Sequence, residues 1–173
     1  MTQDSKTLLT KLRSNLRRLG TDLAIAGDEG EALTRVLLDD ADVGWFGIEQ
    51  EPDTKGEGLK TAGAKRVDFV VGWNGASILL DTKCQHHATD PDGSIIFKLE
   101  VSEVERLRKT GELFGLDVAV IFWSRVMTKE KFVIDRLGRL TDTATIRDSK
   151  TGKEKSALSA RFHASEVCEL TRD

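Results

Sequence analysis

The sequence has no apolar run approaching the roughly 20 residues that a membrane-spanning helix needs. Its opening stretch, MTQDSKTLLTKLRSNLRRLG, lacks the compact apolar segment of a signal peptide and reads as an amphipathic helix. Cysteine is scarce: Cys84 and Cys168 are the only two in 173 residues. Two thiols build no disulfide framework, so a reduced, cytosolic protein is expected. There is no internal repeat and no long low-complexity tract. The overall positive charge common in nucleic-acid-binding domains is also missing, because the formal net charge is −3.

What remains is an ordinary globular composition, with 39% apolar and 32% charged residues and enough length for one domain with a core. The charge is unevenly spread. Lys6, Lys11, Arg13, Arg17 and Arg18 follow one another with no acid among them, and TKGEGLKTAGAKR adds Lys55, Lys60, Lys65 and Arg66 against Glu57. The acids gather in GDEGE, DDAD and EQEPD. Basic patches on an acidic chain can bind phosphates, which makes Arg13, Arg17, Lys55, Lys60, Lys65 and Arg66 the candidate nucleic-acid contacts. Solvated faces are the alternative reading of either patch alone.

Apolar spacing predicts helices over 4–19 and 27–41, the second with acids in its first turn and Ala32, Leu33, Val36 and Leu37 on its apolar face. GWFGIEQE (44–51) reads as a strand, and Gly56, Gly58 and Gly63 mark a mobile loop. After a hairpin and the irregular piece CQHHATDPDGS, IIFKL (95–99) is a short strand. Ser102 and Glu105 form a capping box for a helix that buries Val104, Leu107, Gly111 and Phe114 and stops at Gly115. LDVAVIFWS (116–124) has the unbroken apolar run of a strand covered on both faces. KFVIDRL is a further strand, a polar hairpin surrounds SKTG, and ASEVCEL is a final short helix. The expected architecture is α/β: one domain over 1–173, a mixed sheet flanked by helices, with its core over about 27–135. A basic N-terminal helix (1–22) precedes that core and an extension (138–173) follows it.

The hairpin RVDFVVGWNGASILLDTK carries the chemistry. Asn-Gly is the strongest short hairpin signal, because a two-residue type I′ turn needs positive φ at both centres. With Asn74 and Gly75 at the turn, Trp73 pairs with Ala76 and Phe69 with Leu80, and Asp68 lies opposite Asp81. Alternation then puts Asp68, Asp81 and Lys83 on one face. Like charges directly opposite one another destabilise a sheet. A cation between the carboxylates would reverse that sign, and Mg²⁺ is commonly held by one or two carboxylates plus waters. A neighbouring lysine can position a water or stabilise charge on a phosphate. Two solvated aspartates with Lys83 as a local counter-charge is the bland alternative.

These residues resemble the PD-(D/E)XK nuclease superfamily, most closely the archaeal-type Holliday-junction resolvases. RVDFVV supplies the first acid, with Val in place of the usual Pro, and ILLDTK supplies the (D/E)XK element. GDEGEALTRVLL, the glycine-rich basic segment, the hairpin, VSEVERLRKTGELFG and VAVIFWS follow in that family's order, over roughly 27–135. The resemblance implies a restriction-endonuclease-like αβββαβ core and a Mg²⁺-dependent endonuclease, with Mn²⁺ able to substitute. It implies a homodimer acting on DNA, branched DNA first among candidates. By the same resemblance Asp68 and Asp81 hold the metal, the Thr82 carbonyl adds a ligand, and Glu31 completes the shell directly or through water. Lys83 orients the attacking water, and Gln85 holds the water or a phosphate. The competing functions are a restriction-like, repair or defence nuclease on other DNA or RNA, and a non-cleaving nucleic-acid-binding module of the same fold. His86 and His87 read as solvated loop residues, Cys84 as packing on the face opposite Lys83, and Trp45, Trp73 and Trp123 as packing residues.

Overall fold

A computed structural model describes Thr7 and residues 29–48, 55–126, 129–148 and 151–171. The helix expected over 4–19, with Arg13 and Arg17, lies outside the described residues. In chain order the elements are α1 (Glu29–Asp40), β1 (Gly44–Gly47), α2 (Glu57–Thr61), β2 (Phe69–Trp73), β3 (Ala76–Cys84), β4 (Ala88–Thr89) and β5 (Ile95–Glu100). They continue with α3 (Val101–Phe114), β6 (Asp117–Val126), β7 (Lys129–Arg136), β8 (Asp142–Arg147), β9 (Glu154–Phe162) and β10 (Cys168–Thr171). No described helix is long and apolar enough to cross a membrane.

The fold is α/β around a mixed six-stranded sheet in the order β1-β2-β3-β6-β7-β10. β3 and β6 are parallel and every other pair in that sheet is antiparallel. Parallel neighbours need a crossover, and α3 supplies it. The expected run of helix, three strands, helix and strand is present as α1, β1, β2, β3, α3 and β6. At the hairpin tip Asn74 and Gly75 have φ of 50° and 77°, as a type I′ turn demands. The register of β2 on β3 is the counted one from Trp73↔Ala76 to Phe69↔Leu80.

Both faces of the sheet are covered. On one, Phe69, Val71, Ile78, Leu80, Ile121 and Trp123 pack with Leu33, Leu37 and Leu38 of α1. On the other, Leu79, Val118, Val120, Phe122 and Val133 pack with β5, β9 and Val104 and Leu107 of α3. β6, central and covered on both sides, is accordingly apolar without a break from Val118 to Trp123, as its sequence foretells.

Several local expectations are corrected. The glycine-rich segment holds the short helix α2, where the sequence suggests only a loop. α3 begins at Val101 with Glu100 as its N-cap, and the Ser102 hydroxyl turns to Glu100 Oε1 at 2.5 Å, so the expected capping box does not form. Gly115 ends the helix in the left-handed region as expected, but Phe114 is 57% exposed. Residue 114 lies on the same face as Leu107, two turns on, but it is the last residue of α3 and falls beyond Thr110, the last buried residue of that face. ASEVCEL is a short 3-10 turn, Ala164–Glu166, followed by the edge strand β10 on β7. β5 leaves the central sheet and joins a second one, in the order β4-β5-β9-β8. The C-terminal extension is thus part of both sheets.

Candidate active site

The site lies where β2 and β3 run outward from the turn. Ladder pairing ends at Phe69↔Leu80, and the Asp68 N–H donates to the Leu80 carbonyl at 3.1 Å, one residue out of the counted register. The Asp68 carboxylate turns along the strand edge and accepts the Thr82 N–H at 2.6 Å. The two aspartates still feel each other. Burial, and then the Asp81 charge, push the Asp68 carboxyl up from 3.8 to about 6 against the pull of the Thr82 N–H, Lys83 and Lys65.

Asp81 is fully buried. The Lys65 Nζ lies 2.8 Å from its Oδ1 and the Lys83 Nζ lies 2.5 Å from its Oδ2. Oδ2 makes no hydrogen bond within the described residues, so its contact with Lys83 is an ion pair without hydrogen-bond alignment. Lys83 also reaches the Thr82 carbonyl at 3.2 Å. Burial alone would lower the lysine's pKa, but Asp81 and Glu103 outweigh it and raise Lys83 above the ordinary lysine value. Lys83 is therefore an ammonium at neutral pH and a donor, suited to orienting a water or stabilising charge on a phosphate.

Two members of this cluster, Glu103 and Lys65, are not foreseen in it. Glu103, in the first turn of α3, takes Lys65 at 2.8 Å and Lys83 at 3.1 Å. Burial works against its ionisation, and the two lysines more than offset that, holding it below the usual glutamate range. The signal for Glu103 was in the sequence: it falls four and seven residues before the buried Leu107 and Thr110, on the helix face that meets the sheet. Lys65 reads in the sequence as a phosphate contact, and the structure places it on Asp81 and Glu103.

Asp68, Thr82, Lys83 and Lys65 share a cleft of about 330 Å³ with Gly30, Glu31 and Cys84. α1 can come this close because Gly30 has no side chain; a Cβ there would sit 3.1 Å from both Cys84 Cβ and Thr82 Cγ2. Glu31 thus arrives from the α1 side of the sheet, whereas Asp81 lies on the α3 side. Arg35 pairs with Glu31 at 3.1 Å. Nearby, Thr34 Oγ1 donates to the Gly30 carbonyl at 2.8 Å and accepts Trp123 Nε1–H at 2.9 Å, fixing α1 on the sheet.

The remaining candidates lie apart. Gln85 donates its amide to the Lys98 carbonyl at 2.7 Å and lines a different cavity with His86 and His87. His86 is exposed, while His87 bonds the buried Ser124 hydroxyl. Lys60 pairs with Glu57 on α2 at 3.7 Å, and Lys55 and Arg66 are half-buried. Cys84 points to the α1 side as expected but is exposed. Trp123 is core, and Trp45 meets Phe69 edge-on and donates to Asp39 at 2.7 Å.

Among the described residues, no three His, Cys, Asp or Glu side chains converge as a ready cage for a metal. Mg²⁺ needs less than that, being commonly held by one or two carboxylates, waters and a substrate phosphate. The oxygen donors that line the cleft are the carboxylates of Asp68 and Glu31 and the carbonyl of Thr82, and the buried Asp81 carboxylate is reached through Lys65 and Lys83, which also line it. Asp81 Oδ2 makes no hydrogen bond among the described residues and already carries one cation, the Lys83 ammonium, so this carboxylate is an anion placed to pair with positive charge. The donor chemistry therefore fits Mg²⁺ or Mn²⁺.

No protein-family model matches the sequence, and no curated protein matches it. Among solved structures the chain is similar to Hjc of Archaeoglobus fulgidus, a Holliday junction resolvase from an archaeal hyperthermophile. The two share 15% identity over 76% of this chain and 86% of that chain, with a TM-score of 0.44.

Proposed function

We propose that the chain is a Mg²⁺-dependent endonuclease that hydrolyses DNA phosphodiester bonds, with branched DNA such as a four-way junction as its first candidate substrate. The observation that carries this reading is a cleft lined by Asp68, Glu31, Thr82 and protonated Lys83, with the buried Asp81 carboxylate held behind it by Lys83. An aspartate such as Asp68, whose ionisation is made costly by burial and by a neighbouring carboxylate, is a liability in a purely structural hairpin and an asset at a cation site.

Asp68, Asp81 and the Thr82 carbonyl would hold the ion, with Glu31 completing the shell through water. A bound Mg²⁺ or Mn²⁺ supplies charge to polarise the phosphate and to acidify a water. Lys83 presents N–H donors to the attacking water or to a non-bridging phosphate oxygen. Glu103 holds Lys83 in place from α3. Gln85 anchors the end of β3 to β5, one step removed from the reacting groups. Lys55, Lys60 and Arg66, with Arg13 and Arg17, supply phosphate contacts, and a homodimer would cut two strands symmetrically.

A second reading, a fold of this kind that binds nucleic acid without cutting, draws on the lysine contacts to both oxygens of Asp81. Incubation of labelled four-way junction, linear duplex and single strands with the protein in Mg²⁺ and in EDTA separates the two. The proposal expects nicks that need Mg²⁺ and fall preferentially on the junction. Equal cutting of linear duplex would move the substrate to the restriction-like or repair class. Binding without cutting on every substrate would leave the second reading.

A further inference from the structure

We infer that Lys65 is a built-in counter-ion that stands in for the divalent cation on Asp81 and is displaced when the metal binds. This deepens the metal-dependent reading above and rests on it.

Three observations carry the inference. First, Lys65 sits on a cation position. Its Nζ is 2.8 Å from Asp81 Oδ1 and 2.8 Å from Glu103 Oε1, so one ammonium bridges two carboxylates that come from different elements. Second, the placement is built from the backbone. The Lys65 N–H donates to Thr110 Oγ1 at 3.1 Å and to the Arg106 carbonyl at 3.3 Å, and the same hydroxyl reaches the Lys65 carbonyl at 2.5 Å. Thr110 is itself buried, on α3. The main chain of residue 65 is thereby tied to the helix, and only the four-carbon stem is left to move. Third, the stem has somewhere to go, because the side chain is 25% exposed and lines the cleft with Asp68, Thr82 and Lys83.

Charge counting gives the direction. Asp68, Asp81 and Glu103 against Lys65 and Lys83 leave one negative charge when all are ionised. A divalent cation would turn that into one positive charge in a largely buried cluster. Withdrawal of one ammonium restores neutrality, which is the arrangement that costs least away from water. Lys65 is the one to leave. It is the more exposed of the two lysines, whereas Lys83 is 17% exposed and also bonds the Thr82 carbonyl on its own strand. The freed Lys65 ammonium then faces the cleft, where a substrate phosphate is its natural partner. Metal loading would in this way arm a phosphate-binding group, and the metal-free protein would keep its acids quenched.

The test uses the full chain. Mg²⁺ titration by calorimetry compares wild type, Lys65→Met and Lys65→Arg, with folding checked by circular dichroism. Side-chain ammonium resonances of the wild-type lysines are followed by NMR through the same titration. Removal of the competing cation should tighten Mg²⁺ binding by about tenfold in Lys65→Met and leave Lys65→Arg near wild type. The Lys65 resonance should move to a solvent-exchanging position as metal saturates, while that of Lys83 persists. Wild type and Lys65→Met binding Mg²⁺ equally would overturn the inference and leave the metal reading intact. Tighter binding in Lys65→Met with an unmoved Lys65 resonance would also overturn it, reducing Lys65 to a distant field. No Mg²⁺ binding by any of the three would remove the metal reading and this inference with it.

Discussion

Asp68→Asn should stabilise the metal-free protein, and by an amount that depends on pH. In the folded chain the Asp68 carboxyl is raised from 3.8 to about 6, first by burial and then by the charge of Asp81. A folded-state pKa above the unfolded one means that the folded protein binds the extra proton between those values. Its contribution to stability is complete below pH 3.8 and is lost as pH rises through about 6. At about 1.4 kcal/mol per pH unit the whole effect is worth about 3 kcal/mol, and solvent relaxation around a half-buried group reduces it to about 1–2 kcal/mol. Asparagine keeps an oxygen for the Thr82 N–H and carries no charge. Urea unfolding of Asp68→Asn and wild type, in EDTA, should therefore show the variant more stable at pH 7.5 and the two converging near pH 4. A variant that is less stable at pH 7.5, or a difference that does not change with pH, would refute the reasoning.

Gly111 lies where α3 meets β6, and a Cβ there would stand 2.9 Å from the Leu116 carbonyl oxygen and 3.0 Å from Val118 Cγ2. Gly111→Ala should cost about 1–2 kcal/mol despite alanine's better helix propensity, read as a lower urea midpoint. Arg139 joins β7 to the C-terminal segment by contacts with Asp135 at 2.7 Å and Glu166 at 2.6 Å and by stacking over Phe162. Arg139→Met should cost about 2 kcal/mol by the same assay, and the loss should persist in 0.5 M salt because the cluster is partly buried.

The parts of this molecule that were legible in its sequence are those decided locally. The Asn74-Gly75 turn sets the register of β2 on β3, so the nearness of Asp68 and Asp81 follows from counting outward from the turn. The unbroken apolar run of β6 announces a strand covered on both faces. The apolar face of α1 is readable too, since Leu33 and Leu37 are buried against the sheet. What was hidden depends on long-range pairing. The alternation in IIFKLE says strand, but nothing local says that it pairs with β9, some sixty residues on, in a second sheet. CELT reads as readily as helix as it does as the edge strand it becomes, because four residues cannot establish a period. Within the site, a one-residue slip of the ladder at Asp68 turns its carboxylate onto the Thr82 N–H. Lys65 offers only a positive charge in a basic segment, and its place on Asp81 follows from Thr110, forty-five residues away.

Asp81 is the residue on which both the electrostatics and the proposed chemistry converge. The most direct measurement is the rate at which wild type and Asp81→Asn cut labelled four-way-junction DNA in Mg²⁺, with both proteins shown to be folded and to bind the DNA. The account predicts Mg²⁺-dependent cleavage by wild type and a rate at least about a hundredfold lower in Asp81→Asn. Cleavage at the wild-type rate by Asp81→Asn would contradict it.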